Sequence, residues 1–423
     1  MQKASKQRFI GLEWLRFLLG CYVMVYHTFH QYPQRGSVPF LAEMTSMGFF
    51  ATSTFFVLSG FLLTHVYFNG NQMRESGRSF LKKRFCNLYP IHIVALASSI
   101  LVVSLMQWLA IPPEGPGSSL RFVVYDTNSE LGGTNPELFR HYMTNAQLAF
   151  NGVLQLLMLQ AWNPYFLTFN APLWSLSTLF FFYLFFPWLG PKLLALRHKW
   201  LWMAIICAIY LLPPIWVIWQ QQYGMPFTGL LQRGPLFRLP EFLAGILGYG
   251  IFRQHQRANL VIGRSMRTLL ALGILLCFLI GTALFTHGNG RHWYFLLHNG
   301  LLLPSQVCLV YLSALAHDPK SAWLRHSSPR LGAASLSIFA LHVPLFSLFR
   351  TLEQLLRGAP MSCFNDWQGC VDAAGKVQLS VTGYVIYLLL TVAICVIFQE
   401  RFVVRMRNFL LRLFSSSTKP QRQ

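Results

Sequence analysis

Ten apolar stretches of membrane-spanning length, separated by polar breaks, constrain this chain more than any single motif in it. They lie near 10–29, 48–68, 87–109, 172–190, 200–219, 235–252, 268–286, 294–316, 332–350 and 379–399. A helix needs about 20 mostly apolar residues to cross hydrocarbon, where every backbone N–H and C=O must find a partner within the protein. Composition agrees with that reading. Charged residues make up 11% and hydrophobic ones 54%, whereas a soluble domain carries about 25% charged residues. That is too little charge to cover a water-facing surface, and it excludes an ordinary soluble enzyme, a disordered chain and a fibrous one. The expectation is an all-α, polytopic membrane helix bundle of about ten transmembrane helices.

The charge pattern orients the bundle. Lys and Arg number 34 against 13 Asp and Glu, a net charge of +21. In a soluble chain this would suggest a nucleic-acid partner. Here the basic residues flank the apolar stretches: 24 of the 34 fall in alternate connections on one side and 7 on the other. The positive-inside rule puts both termini in the cytoplasm, so the lipid bilayer is an expected partner and nucleic acid is not. The first stretch contains Glu13 and Arg16 and lacks a small-residue cleavage site, which reads as a retained helix rather than a signal peptide. Residues 1–400 form the transmembrane domain on this reading, and 401–423 a basic cytoplasmic tail whose Arg401–Arg412 portion suits an amphipathic surface helix. The longest connection, 110–171, lies outside. It opens as a Pro- and Gly-rich loop (112–119) and continues, at about 138–160, as an amphipathic helix suited to the interface or a re-entrant path. No internal repeat is visible. Cys363 and Cys370 share one outer loop, and form a disulfide if that loop meets an oxidising compartment; otherwise they are unrelated loop cysteines.

Ionisable groups within spans cost about 2.5–3.5 kcal/mol near the bilayer centre and need a partner or a purpose. The first helix holds Arg16 and His27. The eleven-residue separation turns about 1100°, some 20° past three full turns, with about 16 Å of rise. Both side chains therefore share one face, Arg16 in the cytoplasmic half and His27 in the outer half. Glu13, three residues before Arg16, is placed to pair with it. His27 reads either as a histidine bonded between helices or as a catalytic base. His30 follows at i+3, but a metal would need a third ligand that is not nearby.

Further polar signals follow along the chain. Ser59-Gly60 is a small, close-packing site in the second span. Lys82-Lys83-Arg84 at the start of the third is a topology anchor, or a cluster that attracts an anionic ligand. The fourth opens with Trp174-Ser175-Leu176-Ser177, where Trp174 is an interfacial anchor or a sugar-stacking face. The sixth opens with Arg238-Leu239-Pro240-Glu241, whose charges form an i,i+3 pair or supply an acid–base group. The ninth carries His342 near mid-membrane. Together these groups imply a polar channel through the bundle.

In this order, the motifs resemble the membrane acyltransferase 3 family, whose members O-acylate surface glycans, lipid-linked sugars and some small molecules. The resemblance covers nearly the whole chain. Its most specific element is a basic residue, ten intervening residues and a histidine in the first helix, here Arg16 to His27. Supporting it are Phe55 through Phe61, Arg84 through Pro90, Trp174 through Ser177, Arg238 through Phe242 and Ser337 through His342. Two departures stand out: Asn87 where the family often has a second arginine, and Leu179 where it commonly has Glu.

The resemblance implies acetyl-CoA or another acyl-CoA as cytoplasmic co-substrate, with no permanently bound cofactor. It implies a glycan or lipid-linked sugar hydroxyl as acceptor, and possible company among polysaccharide-assembly proteins at the cell (inner) membrane. On it, His27, Arg16 and Glu241 are the catalytic candidates, and Lys82, Lys83, Arg84 and Ser59 the donor-binding ones. Trp174, Ser177, Arg238 and His342 are the acceptor-binding candidates. A His27 imidazole serves either as general base or as a covalent acyl relay. Two other function classes remain open: a transporter or flippase, which also needs a polar path, and a scaffold subunit of a polysaccharide-synthesis complex. Donor consumption separates the first from an acyltransferase, and indifference to loss of His27 marks the second.

Overall fold

A computed structural model describes residues 9–111, 120–124 and 140–416. Ten membrane-length helical segments are present among them. These are α1 (Ile10–Thr28), α2 (Gly48–Tyr67), α3 (Gly77–Trp108), α4 (Trp174–Ala195), α5 (Lys199–Trp219) and α6 (Pro235–Arg257), followed by α7 (Arg264–His287), α8 (Leu303–Ala314, preceded by the short helix His292–His298), α9 (Ala322–Arg357) and α10 (Val381–Ile397). The only strands described are two short antiparallel hairpins, Phe68–Asn69 with Gln72–Met73 and Phe122–Val124 with Arg140–Tyr142. Eight segments are long and apolar enough to cross a membrane by length and composition. The other two, α1 and α6, match them in length but carry Glu13, Arg16 and His27, and Arg238 and Glu241.

The chain is threaded so that both ends meet one face. Phe9, before α1, packs edge-on against Phe252 near the end of α6, ring centroids 5.5 Å apart. Near the start of α3, Lys82 donates to the Phe414 carbonyl beyond α10, at 3.0 Å. At the opposite face Thr28, ending α1, lies 3.1 Å from the Tyr384 hydroxyl at the start of α10.

The centre belongs to α2, with 83% of its most apolar stretch buried, against 11% for α7 at the lipid-facing edge. Close packing there needs glycine. A Cβ on Gly60 would sit 2.2 Å from the Phe242 carbonyl oxygen, and one on Gly245 would sit 2.0 Å from that of Val57. The α2 and α6 backbones therefore touch directly, the small-residue device by which membrane helices pack.

Several elements differ from their sequence-based bounds. Helix α3 starts ten residues earlier than expected, because the Ser76 hydroxyl caps it by accepting from the Ser79 N–H at 3.3 Å. The eighth span is broken at 299–302, where Gly300 takes a φ of +107°, a backbone conformation open to glycine. The expected domain boundary at 400 falls inside a continuous helix: α10 runs through a π-turn (Phe398–Val403) into the helix Val404–Ser416. The buried Gln399 of that turn accepts from the Ser337 hydroxyl of α9 at 2.9 Å. In the long outer connection, residues 112–119 lie outside the described ones and the helix is confined to Asn145–Leu156, opened by a Thr144–Gln147 capping box. It turns Asn151 and Gln155 inward and Phe150, Val153 and Leu156 outward. That inverted amphipathicity suits a helix whose outer face meets lipid rather than water. The loop cysteines Cys363 and Cys370 are joined as a disulfide.

Candidate active site

Helix α1 lies along α9, and where they meet two histidines from distant parts of the chain come together. His27 Nδ1 is 3.1 Å from His342 Nε2, with the rings nearly parallel and centroids 5.0 Å apart. His342 Nδ1 is 3.1 Å from the Ile338 carbonyl one turn earlier. A carbonyl can only accept, so His342 Nδ1 carries the hydrogen and its Nε2 presents a lone pair. That lone pair accepts the His27 Nδ1–H. For neutral rings this chain puts the hydrogen of His27 on Nδ1 and leaves its Nε2 unprotonated. His342 is fully buried, at 0% exposed, whereas His27 is half-buried. Of the two, only His27 keeps open surface, and His342 backs it from the buried side. The backbone of α9 is held here from both sides. Tyr387 of α10 donates to the His342 carbonyl at 3.0 Å, and Asn170, before α4, donates to that of Ala340 at 2.9 Å.

Toward the cytoplasmic face, α1 presents Arg16, half-buried like His27. Glu13 does not pair with it; the carboxylate is turned to α9, where it lies against Gly332. Along α2 the partly exposed positions are Ser59, Leu62, His65 and Val66. Their three- and four-residue spacing puts them on one face of the most enclosed helix, a strip open toward the inner side. Ser59 Oγ donates to the Phe55 carbonyl at 2.8 Å.

The three basic residues of α3 diverge, since successive helical positions point about 100° apart. Lys82 reaches the C-terminal helix, Lys83 pairs with Glu75, and Arg84 alone turns to the bundle. There it bonds the Tyr67 hydroxyl, its guanidinium 4.7 Å from the Tyr67 ring centroid. Arg84 of α3 and Arg16 of α1 both lie near Tyr183 of α4.

A second polar cluster lies on α6. Arg238 pairs with Glu241 at 3.0 Å, both 1% exposed. Arg238 also donates to Ser53 Oγ at 2.7 Å and to the His298 carbonyl at 2.8 Å, while Tyr210 donates to Glu241 at 2.8 Å. The His298 carbonyl ends the short helix before the break in the eighth span, so Arg238 satisfies an acceptor freed inside the membrane. Glu241 makes no hydrogen bond to His27 among the described residues. The Arg238 guanidinium lies 6.0 Å from the ring centroid of half-buried Trp174 and 5.9 Å from that of Phe56. Ser177 is buried, its hydroxyl donated to the Met158 carbonyl at 2.5 Å, which ties down the outer loop. Of the four acceptor-binding candidates, then, Trp174 alone keeps partly open surface.

The family model for the acyltransferase domain Acyl_transf_3 matches residues 9–400. The chain belongs to the acyltransferase 3 family. It is similar to the acyltransferase MdmB of Streptomyces mycarofaciens, 30% identical over 253 residues that cover 56% of this chain and 55% of that one. It also resembles protein 2 in the picA locus of Rhizobium radiobacter, 27% identical over 185 residues, 42% of this chain and 79% of that one. The match thus spans about half the length of MdmB. No solved structure matches. Within this acyltransferase 3 chain, Leu179 is 3% exposed and leaves no unpaired buried charge where the family commonly has Glu.

Proposed function

We propose that this multi-pass membrane protein is an O-acyltransferase of the cell (inner) membrane. It moves an acyl group, acetyl in the simplest case, from cytoplasmic acyl-CoA to a hydroxyl of an extracytoplasmic glycan or lipid-linked sugar. The observation that carries this reading is the contact of half-buried His27 with buried His342 at 3.1 Å, on the helix face that His27 shares with Arg16. Family membership and the likeness to MdmB support the reaction class.

His27 Nε2 takes the proton of the acceptor hydroxyl as its oxygen attacks the thioester carbonyl. The C–S bond then breaks, the ester C–O bond is made, and the departing thiolate recovers the proton from His27 Nε2. Base assistance of this kind contributes about 10²–10⁴-fold. Arg84 and Arg16 supply positive charge for the donor phosphates, Ser59 lines the way between them and the outer half, and Trp174 offers the acceptor an aromatic face. Arg238 and Glu241 hold the broken span and the floor beneath Trp174.

The test is acyl transfer by purified protein from radiolabelled acetyl-CoA to crude envelope glycan, wild type beside His27→Ala. Label in the glycan that depends on His27 is the expected result. Folded protein that consumes neither acetyl- nor succinyl-CoA overturns the proposal in favour of a transporter.

A further inference from the structure

The cytoplasmic face carries a second basic site, away from the three residues of α3. The ends of α4 and α6, the start of α5 and the tip of the hairpin after α2 line an open cavity of about 330 Å³. Its lining includes Gly70, Asn71, Arg197, Lys199, Arg253 and Arg257. That volume is at the lower end of the about 300–1,000 Å³ usual for small-molecule sites. Four cations line it, Arg197 from the connection after α4, Lys199 from the start of α5, and Arg253 and Arg257 from α6, and no carboxylate does.

Two other basic residues of this face are neutralised by a carboxylate, while Lys82 and Arg84 bond a carbonyl and a hydroxyl instead. Lys83 is paired with Glu75 and Arg330 with Glu400. None of the four around the cavity has a carboxylate partner among the described residues. Lys199 is 8% exposed and donates to the Leu196 carbonyl at 2.6 Å, which leaves two of its three ammonium hydrogens. Its stem lies over Gly250, where an added Cβ would sit 2.9 Å from Lys199 Cδ and Cε; the missing side chain makes room for the lysine. Arg253 donates to the Gly70 carbonyl at 3.3 Å and so holds the hairpin over the cavity. The N-terminus of α5 has no side-chain cap, so its free N–H groups add positive potential at the rim. A topology anchor needs basic residues near the headgroups. It does not need them gathered without counter-charge around a concavity, where like charges repel.

We infer that this cavity binds a phosphoryl group presented from the cytoplasmic side, carried by the nucleotide end of the acyl donor or by an anionic lipid headgroup. The nucleotide assignment rests on the function proposed above; the phosphate site itself does not. The hairpin that roofs the cavity begins at Phe68, next to Tyr67, which binds Arg84.

The test uses the full chain in nanodiscs of phosphatidylcholine, with adenosine 3′,5′-bisphosphate as probe and binding read by calorimetry. Arg197→Gln with Arg257→Gln should weaken binding at least tenfold, and Arg197→Lys with Arg257→Lys should recover most of it, which separates charge loss from misfolding. A second arm uses nanodiscs containing phosphatidylglycerol and counts retained lipid by native mass spectrometry. If nucleotide binding is unmoved but the Gln pair loses bound phosphatidylglycerol, the site stands and its ligand is lipid. If neither changes, the inference is wrong. Acetyl-CoA consumption by the wild type is recorded alongside. Probe binding without consumption would sink the acyltransferase reading and leave the pocket, while consumption with unmoved binding in both arms would do the reverse.

Discussion

Replacing His342 probes the tautomer argument without touching any group that meets substrate. In His342→Leu the apolar side chain fills much of the same volume but accepts nothing from His27 Nδ1–H, the bond now made at 3.1 Å. The Val23 carbonyl remains near His27 as another acceptor, so the loss is that of one hydrogen bond, about 0.5–1.5 kcal/mol. If that cost falls on the reactive tautomer, at about 1.36 kcal/mol per tenfold in rate, kcat drops about 2- to 13-fold. His27→Ala should lose the larger factor of about 10²–10⁴ that base catalysis supplies. Three readouts separate positioning from mere packing. His342→Gln, whose amide oxygen can accept from His27, should recover part of the rate. The double variant His27→Ala/His342→Leu should be no slower than His27→Ala alone, because coupled residues are not additive. The fall of turnover at acid pH, as the base becomes protonated, should persist in His342→Leu and vanish in His27→Ala. The assay is thiol release from acetyl-CoA in the presence of acceptor, by purified protein of matched melting temperature. Turnover of His342→Leu within twofold of wild type, or a double variant slower by the product of the two single losses, would refute the reasoning.

Three further outcomes follow from the packing. Glu241→Gln leaves the 1%-exposed Arg238 without its carboxylate and should destabilise the protein by about 3–5 kcal/mol, read as a thermal shift; lost turnover with an unmoved melting temperature would instead make Glu241 catalytic. Gly60→Ala drives a methyl to 2.2 Å from the Phe242 carbonyl oxygen, so monodisperse folded protein should fall sharply in size-exclusion profiles, whereas Gly263→Ala, with open space around it, should not change. Cys363→Ser and Cys370→Ser each open a loop of seven-residue separation, worth about 2.5 kcal/mol by chain entropy, and the double variant should melt where the single ones do.

Much of the bundle was legible because the bilayer leaves few alternatives. Apolar runs located the spans, and helical arithmetic put Arg16 and His27 on one face of α1. The i,i+3 spacing of Arg238 and Glu241 announced their pair, although not that the pair would also hold the broken end at His298. Other features depend on contacts that no local pattern records. His342 is 315 positions from His27, and its pattern did not reveal that it would be sealed behind the first histidine rather than facing acceptor. Asn170 and Tyr387, which brace that stretch of α9, looked like any polar residue before a span and any aromatic within one. Lys82, Lys83 and Arg84 look like one cluster in a string of letters, but on a helix they are three directions, and only Arg84 faces the bundle. The converse holds for Arg197, Lys199, Arg253 and Arg257, which look dispersed along the chain and meet only because α4 and α6 end where α5 begins.

The imidazole pair also bears on the membrane in which it sits. Its inner member is bonded to the Ile338 carbonyl, and an amide oxygen is far too weak a base to take a proton onward. Two stacked histidines midway through a bundle would otherwise be the makings of a proton wire. Here the wire is earthed on the main chain at one end, so a proton arriving at His27 Nε2 must depart from the same atom. On the function proposed above, each catalytic cycle would then open and close without carrying charge between the compartments, and polar side chains threaded through the interior need not short-circuit an energised membrane.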